Sequence, residues 1–148
     1  LVASFFFFGS SPGRDSVDRF IPTIAYQLSL SIPTTRQFII KAIENNPLLP
    51  HASLWDQAKT LVVEPIRSVL STTSLATDAY PRIFVIDGLD ECTNPDKQCE
   101  ILQILVQLVQ NLPVPFAFLL ASRPEIHITS SFNTGQLNNL STRIFLGR

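Results

Sequence analysis

Residues 82–92 read RIFVIDGLDEC. Four of the first six suit a buried strand, and then Asp87, Asp90 and Glu91 bring three acids within five positions. A greasy strand ending in this much negative charge needs a cation or strong hydrogen-bond donors nearby. In an open α/β sheet, ligands bind off the carboxyl ends of the strands, and Asp87 stands at that edge. Gly88 has no side chain, so a ligand or another backbone can approach closely. Asp90 and Glu91 follow on the turn. Three close carboxylates repel one another unless a cation, or an ordered water that needs deprotonating, lies between them.

That pattern fits the Walker B element of a nucleotide-hydrolysing site, in which a strand-end Asp holds Mg²⁺ through water and a later acid polarises the attacking water. The bland alternative is a solvated Asp-Gly turn that also caps a helix beginning near residue 95. The next apolar run, FAFLLASRP (116–124), ends in Ser122-Arg123-Pro124. If the two strands are parallel neighbours, Arg123 emerges on the same edge as Asp87. A planar, permanently charged guanidinium there suits a γ-phosphate. The plainer alternative is an Arg that closes a strand and pairs with a local acid.

Outward from this stretch, aromatic and β-branched runs bounded by turn residues predict four strands, at 4–9, 82–87, 115–122 and 142–147 (TRIFLG). Three of them are apolar at nearly every position, the pattern of strands covered on both faces by helices. Helical periodicity runs over 15–31, with Val17, Phe20, Ile24 and Leu28 on one stripe and Asp15 or Ser16 as cap. Pro22 lies inside that pattern, so the helix can start there, with the proline in its first turn. Further helices are predicted at 34–46, at 54–70 with a kink at Pro65, and at 96–112 after Pro95. The Ser/Thr-rich stretch 71–79 and the Ser/Asn/Gly-rich stretch 129–141 read as surface loops. The alternation predicts an α/β layered fold with right-handed crossovers.

Length and composition narrow the function. At 148 residues, 45% of them hydrophobic, the chain makes one ordinary domain or a piece of a larger one. A net charge of −1 and no Lys/Arg run argue against a nucleic-acid partner. Cys92 and Cys99 form no Cys-x-x-Cys pair, and His51 and His127 lie far from them in sequence, so no metal-ligand spacing is readable. Reduced thiols of a cytoplasmic protein are the plain reading. The opening LVASFFFFGS has no basic leader, and its apolar run stops at Gly9, short of the ~18 residues a membrane span needs. There is no Met, and a chain that opens in mid-strand reads as an excised piece.

Strand, IDGLDEC, helix, strand and LLASRP, preceded by FFFFGSSPGRDSVDRFIPTIAYQLS, resemble the NACHT domains of fungal NOD-like receptors. Those are signal-transducing ATPases of the STAND class, and the same segment occurs in nephrocystin-type N-terminal modules. The resemblance covers nearly the whole chain, 1–148, and implies an α/β, parallel-sheet P-loop NTPase core of the ASCE type flanked by helices. It implies that Asp87 is the Mg²⁺-associated Asp, that Asp90 and Glu91 are the further, catalytic acids, one of them orienting water, and that Arg123 is sensor 1. Arg14 and Arg19 match no role and read as solvated. The family's ATP cradle, a Gly-rich loop ending in Gly-Lys-Ser/Thr, has no counterpart, because no glycine here precedes a Lys. In this class the strand before that loop lies between those matching 115–122 and 142–147, so both would expose apolar edges.

The expectations are therefore a NACHT switch piece that by itself binds little ATP and Mg²⁺, or a non-enzymatic fragment that self-associates or pairs with a full-length NACHT protein. An unrelated Mg²⁺ phosphohydrolase of the haloacid-dehalogenase type is weaker. Such sites place the second acid two residues after the first, and Asp90 comes three after Asp87.

Overall fold

A computed structural model describes residues 1–72 and 80–147. Its centre is a three-stranded, all-parallel sheet in the order β1 (Ala3–Phe6), β2 (Ile83–Asp87), β3 (Ala117–Ala121). The predicted strands at 4–9, 82–87 and 115–122 are thus present, each slightly shorter than expected, and RIFVID is the central one.

The helices follow from local chemistry. Ser16 caps a short 3₁₀ turn, Val17–Arg19, by accepting from the Asp18 amide, and α1 (Phe20–Ser31) continues from it. Pro22 falls in the first turn of α1, where its missing N–H removes no helical bond. All four residues of the predicted stripe are buried. The next helix is α2 (Arg36–Asn45). The predicted kink at Pro65 takes a specific form: α3 (Leu54–Ala58) widens into a π turn, Lys59–Val63, and narrows again into α4 (Glu64–Thr72). Pro65 lacks the N–H that would reach back to Leu61, and the wide turn just before it absorbs the mismatch. Asn94 caps α5 (Pro95–Asn111), accepting from the amides of Asp96 and Lys97.

Register partners share a face in a parallel sheet, and the two faces differ. Ala3 and Phe5 of β1 and Phe84 and Ile86 of β2 are buried, in one cluster with Phe20, Ile24 and Leu28 of α1, Leu61 and Val62 of the π turn, and Ile101 and Leu102 of α5. Phe84 stacks on its register partner Phe118 at 4.8 Å, and Phe5 meets Phe20 edge-on at 5.3 Å. The edge of β1 is closed by a side chain, since the Gln27 amide both accepts from Ser4 N–H (2.9 Å) and donates to Ser4 C=O (2.8 Å).

Four expectations need correction. The run at 142–147 is no strand: it has no regular structure and is exposed throughout, and no backbone among the described residues bonds beside it. A strand is held by a neighbour's ladder, and Ile144, Phe145 and Leu146 have propensity without a partner. The stretch 129–141 is not a loop; α6 (Ile126–Asn133) and α7 (Gly135–Leu140) occupy it. Packing of Ile128, Phe132 and Leu137 onto the core outweighs their polar neighbours. The sheet is covered on one face only, because the face carrying Phe6, Ile83 and Leu119 stays exposed among the described residues. Of the predicted loop 71–79, Ser71 and Thr72 instead end α4, and 73–79 lie outside the described residues.

Candidate functional site

The strand-end acids and Arg123 do meet at one edge of the sheet. Asp87 is the last residue of β2 and lies in register with Ala121, two residues before Arg123. The chain then turns sharply: Gly88 takes φ +70, and a Cβ there would sit 2.9 Å from the Phe7 carbonyl. The close approach anticipated at Gly88 is therefore by a backbone, that of the segment leaving β1. A 3₁₀ turn, Leu89–Glu91, carries the other two acids.

The three carboxylates do not converge. Asp90 turns towards the end of β3, where one oxygen accepts from the Arg123 amide (3.0 Å) and from the Ser122 hydroxyl (3.3 Å). Its other oxygen lies 3.6 Å from Arg123 Nε, and the Asp90 side chain is only 9% exposed. Glu91 points the opposite way and accepts from the Gly9 amide at 2.9 Å. Asp87 is exposed, and among the described residues no hydrogen bond or ion pair engages its carboxylate. Repulsion is thus relieved by separation and by backbone N–H donors, with one guanidinium contributing. The bland helix-cap reading fails in one respect, since Asn94 and not an acid of this turn caps α5. The plain reading of Arg123 holds in part: it pairs with Asp90, yet 79% of its side chain faces solvent.

These positions bear on the groups that the resemblance implies. Among the described residues no set of three His, Cys, Asp or Glu could cage a metal ion. A single free carboxylate at a strand end fits Mg²⁺ held through water, which keeps most of its hydration shell. No Gly-Lys pair is available to cradle phosphates. The residues present therefore fit the magnesium side of such a site and not its phosphate side. Arg14 and Arg19 are exposed, in keeping with solvated charges.

Sequence reasoning missed the support beneath the acids. Gln98 on α5 is buried (3% exposed) and donates through Nε2 to the Cys92 carbonyl (2.6 Å) and the Asp90 carbonyl (3.3 Å). Its Oε1 is bonded to the His127 ring on α6. The available signal was a glutamine one helical turn before Ile101 and Leu102, on the buried stripe. Thr93 adds a second tie, bonding the Asp15 carbonyl through its amide (3.1 Å) and hydroxyl (3.3 Å). Burial, the largest influence, pushes the Cys92 thiol above its ordinary value. Burial thus favours the protonated thiol over the thiolate.

No helix among the described residues is long and apolar enough to cross a membrane. Comparison with curated proteins and with solved structures gave no match. A family model does match: that of the nephrocystin 3 N-terminal family, over residues 1–123. The match runs from β1 to Arg123 and so spans the whole strand-end site. On that coverage the chain belongs to the nephrocystin 3 N-terminal family.

Proposed function

We propose that this chain carries the acid-and-arginine half of a nucleotide-dependent NACHT-type switch. The observation that supports it best is the state of Asp87, a carboxylate at the carboxyl end of the central strand with no partner among the described residues. In this reading Asp87 orients the water shell of Mg²⁺, and Mg²⁺ would supply charge neutralisation beside phosphate oxygens. Asp90 sets the position of Arg123, whose exposed guanidinium faces the incoming phosphate. Glu91, bonded to Gly9, joins the acid turn to the segment that leaves β1. The phosphate-cradling loop has to come from outside these residues, so the 148-residue chain alone binds ATP weakly or not at all.

Mn²⁺ as a paramagnetic stand-in tests this reading on the chain itself. Millimolar Mn²⁺ is expected to broaden amide resonances around Asp87 and Gly88, and Asp87→Asn to abolish the effect. Broadening spread evenly over acidic surface, or unchanged by Asp87→Asn, overturns the reading. Tight Mg²⁺-dependent ATP binding by the same chain would overturn its second half.

A second reading is favoured by the open edge of the sheet. Ala117 N–H and Ala121 C=O bond towards β2, so the intervening Phe118 and Leu120 direct their backbone groups outward. An edge unpaired among the described residues, next to the exposed Leu119, is a template for strand addition. Here the chain acts without catalysis, pairing with a second copy or with a full-length NACHT relative.

A further inference from the structure

We infer that Gln98 and His127 form a clamp that positions the acid turn and ties it to the helix following Arg123. The inference rests on the reading in which Asp90 and Arg123 belong to one site. A 3₁₀ turn as short as Leu89–Glu91 leaves its last carbonyls without donors, and those of Asp90 and Cys92 face the protein interior. The buried Gln98 amide answers both.

The roles of the atoms are fixed by elimination. A carbonyl only accepts, so the Gln98 atom facing Asp90 C=O and Cys92 C=O is the NH₂ group. That turns Oε1, another pure acceptor, towards His127, whose Nε2 must then carry a proton. Both the Nε2–H tautomer and the imidazolium satisfy this, so the clamp does not depend on the charge of His127.

The consequence is a double link between two short segments, 88–92 and 122–127. On one side the Asp90 carboxylate binds the Ser122 hydroxyl and the Arg123 amide. On the other, the Asp90 carbonyl is held by Gln98, and Gln98 by His127. Two attachments on opposite sides of one residue remove its freedom to rotate, where one would leave it a hinge. Gln98 and His127 are positioning residues: neither reaches the exposed edge, and both set where Asp90, Glu91 and Arg123 stand. His127 lies in the first turn of α6, which follows Arg123-Pro124-Glu125, so a shift of α6 would be felt at the acids as well as at the arginine.

Amide hydrogen exchange, read residue by residue without metal or nucleotide, tests the clamp. Gln98→Leu keeps the volume and removes the bonds. It is expected to speed exchange at the Arg123 and Gly9 amides at least about fivefold, while β2 amides change little. A uniform rise across the core, or no selective rise, overturns the proposal. If Gln98→Leu does not fold, the half-buried His127 decides. His127→Ala should reproduce the selective rise and His127→Gln, which restores a donor, should reverse it; absence of either overturns the proposal. Because no metal is involved, failure of the Mn²⁺ experiment leaves the clamp standing, and failure of the clamp leaves Asp87 as the metal-side carboxylate.

Discussion

The two faces of the sheet are built from similar residues and meet different fates. Phe5, Phe84 and Ile86 lie under helices, whereas Phe6 at 53% and Leu119 at 61% exposure face outward beside Ile83. Apolar strands therefore state a capacity for burial, and occupancy depends on what the rest of the chain can lay across them. Here α1, the α3–α4 arm and α5 all lie on one side. The bare side is the one on which Asp87 emerges, in register with Phe6 and Ala121. The free carboxylate and the free apolar surface are thus one contiguous region, which is why the catalytic and the interaction readings compete for it.

Substitutions can break that contrast directly. Phe84→Ala, on the covered face, removes a ring stacked on Phe118 and tilted against Phe116, and should lower stability by about 3–5 kcal/mol in urea unfolding. A loss below about 1 kcal/mol would mean that the covered face is not the core. Gly88→Ala comes next. Its positive φ and the 2.9 Å approach to Phe7 C=O call for a loss of about 1–3 kcal/mol, together with shifted Asp90 and Glu91 amides. Wild-type stability there would refute the tight turn. Leu119→Lys, on the bare face, should change stability by no more than about 0.5 kcal/mol. The same change should abolish any concentration-dependent self-association seen by sedimentation, because a charge on an edge strand blocks strand addition. Self-association that survives it would remove this face from the interaction reading.

Much of the fold was legible. RIFVID announces the central strand because four consecutive strand formers, Ile83 to Ile86, are bounded by Pro81 and the Asp87-Gly88 turn, and the parallel arrangement follows from the helix between it and FAFLLA. The meeting of Asp87 with the Arg123 segment follows in turn, since parallel neighbours end on the same edge. Other parts were hidden for physical reasons. TRIFLG has the propensity of a strand, and a strand exists only where a neighbour offers a ladder. The polar stretch 129–141 is helical because Phe132 and Leu137 find apolar surface, which composition cannot show.

The site divides in the same way. From the sequence alone come the acids, their order along the turn, the arginine after the next strand, and the lack of a Gly-Lys pair. These are covalent facts or follow from continuous apolar runs bounded by turn residues. Only the tertiary structure decided that Asp90 leans on Ser122 and Arg123, that Glu91 reaches back to Gly9, and that Gln98 holds the turn from beneath. The direction of a carboxylate is set by whichever donors the fold brings within 3 Å or so, and those donors lie tens of residues away along the chain.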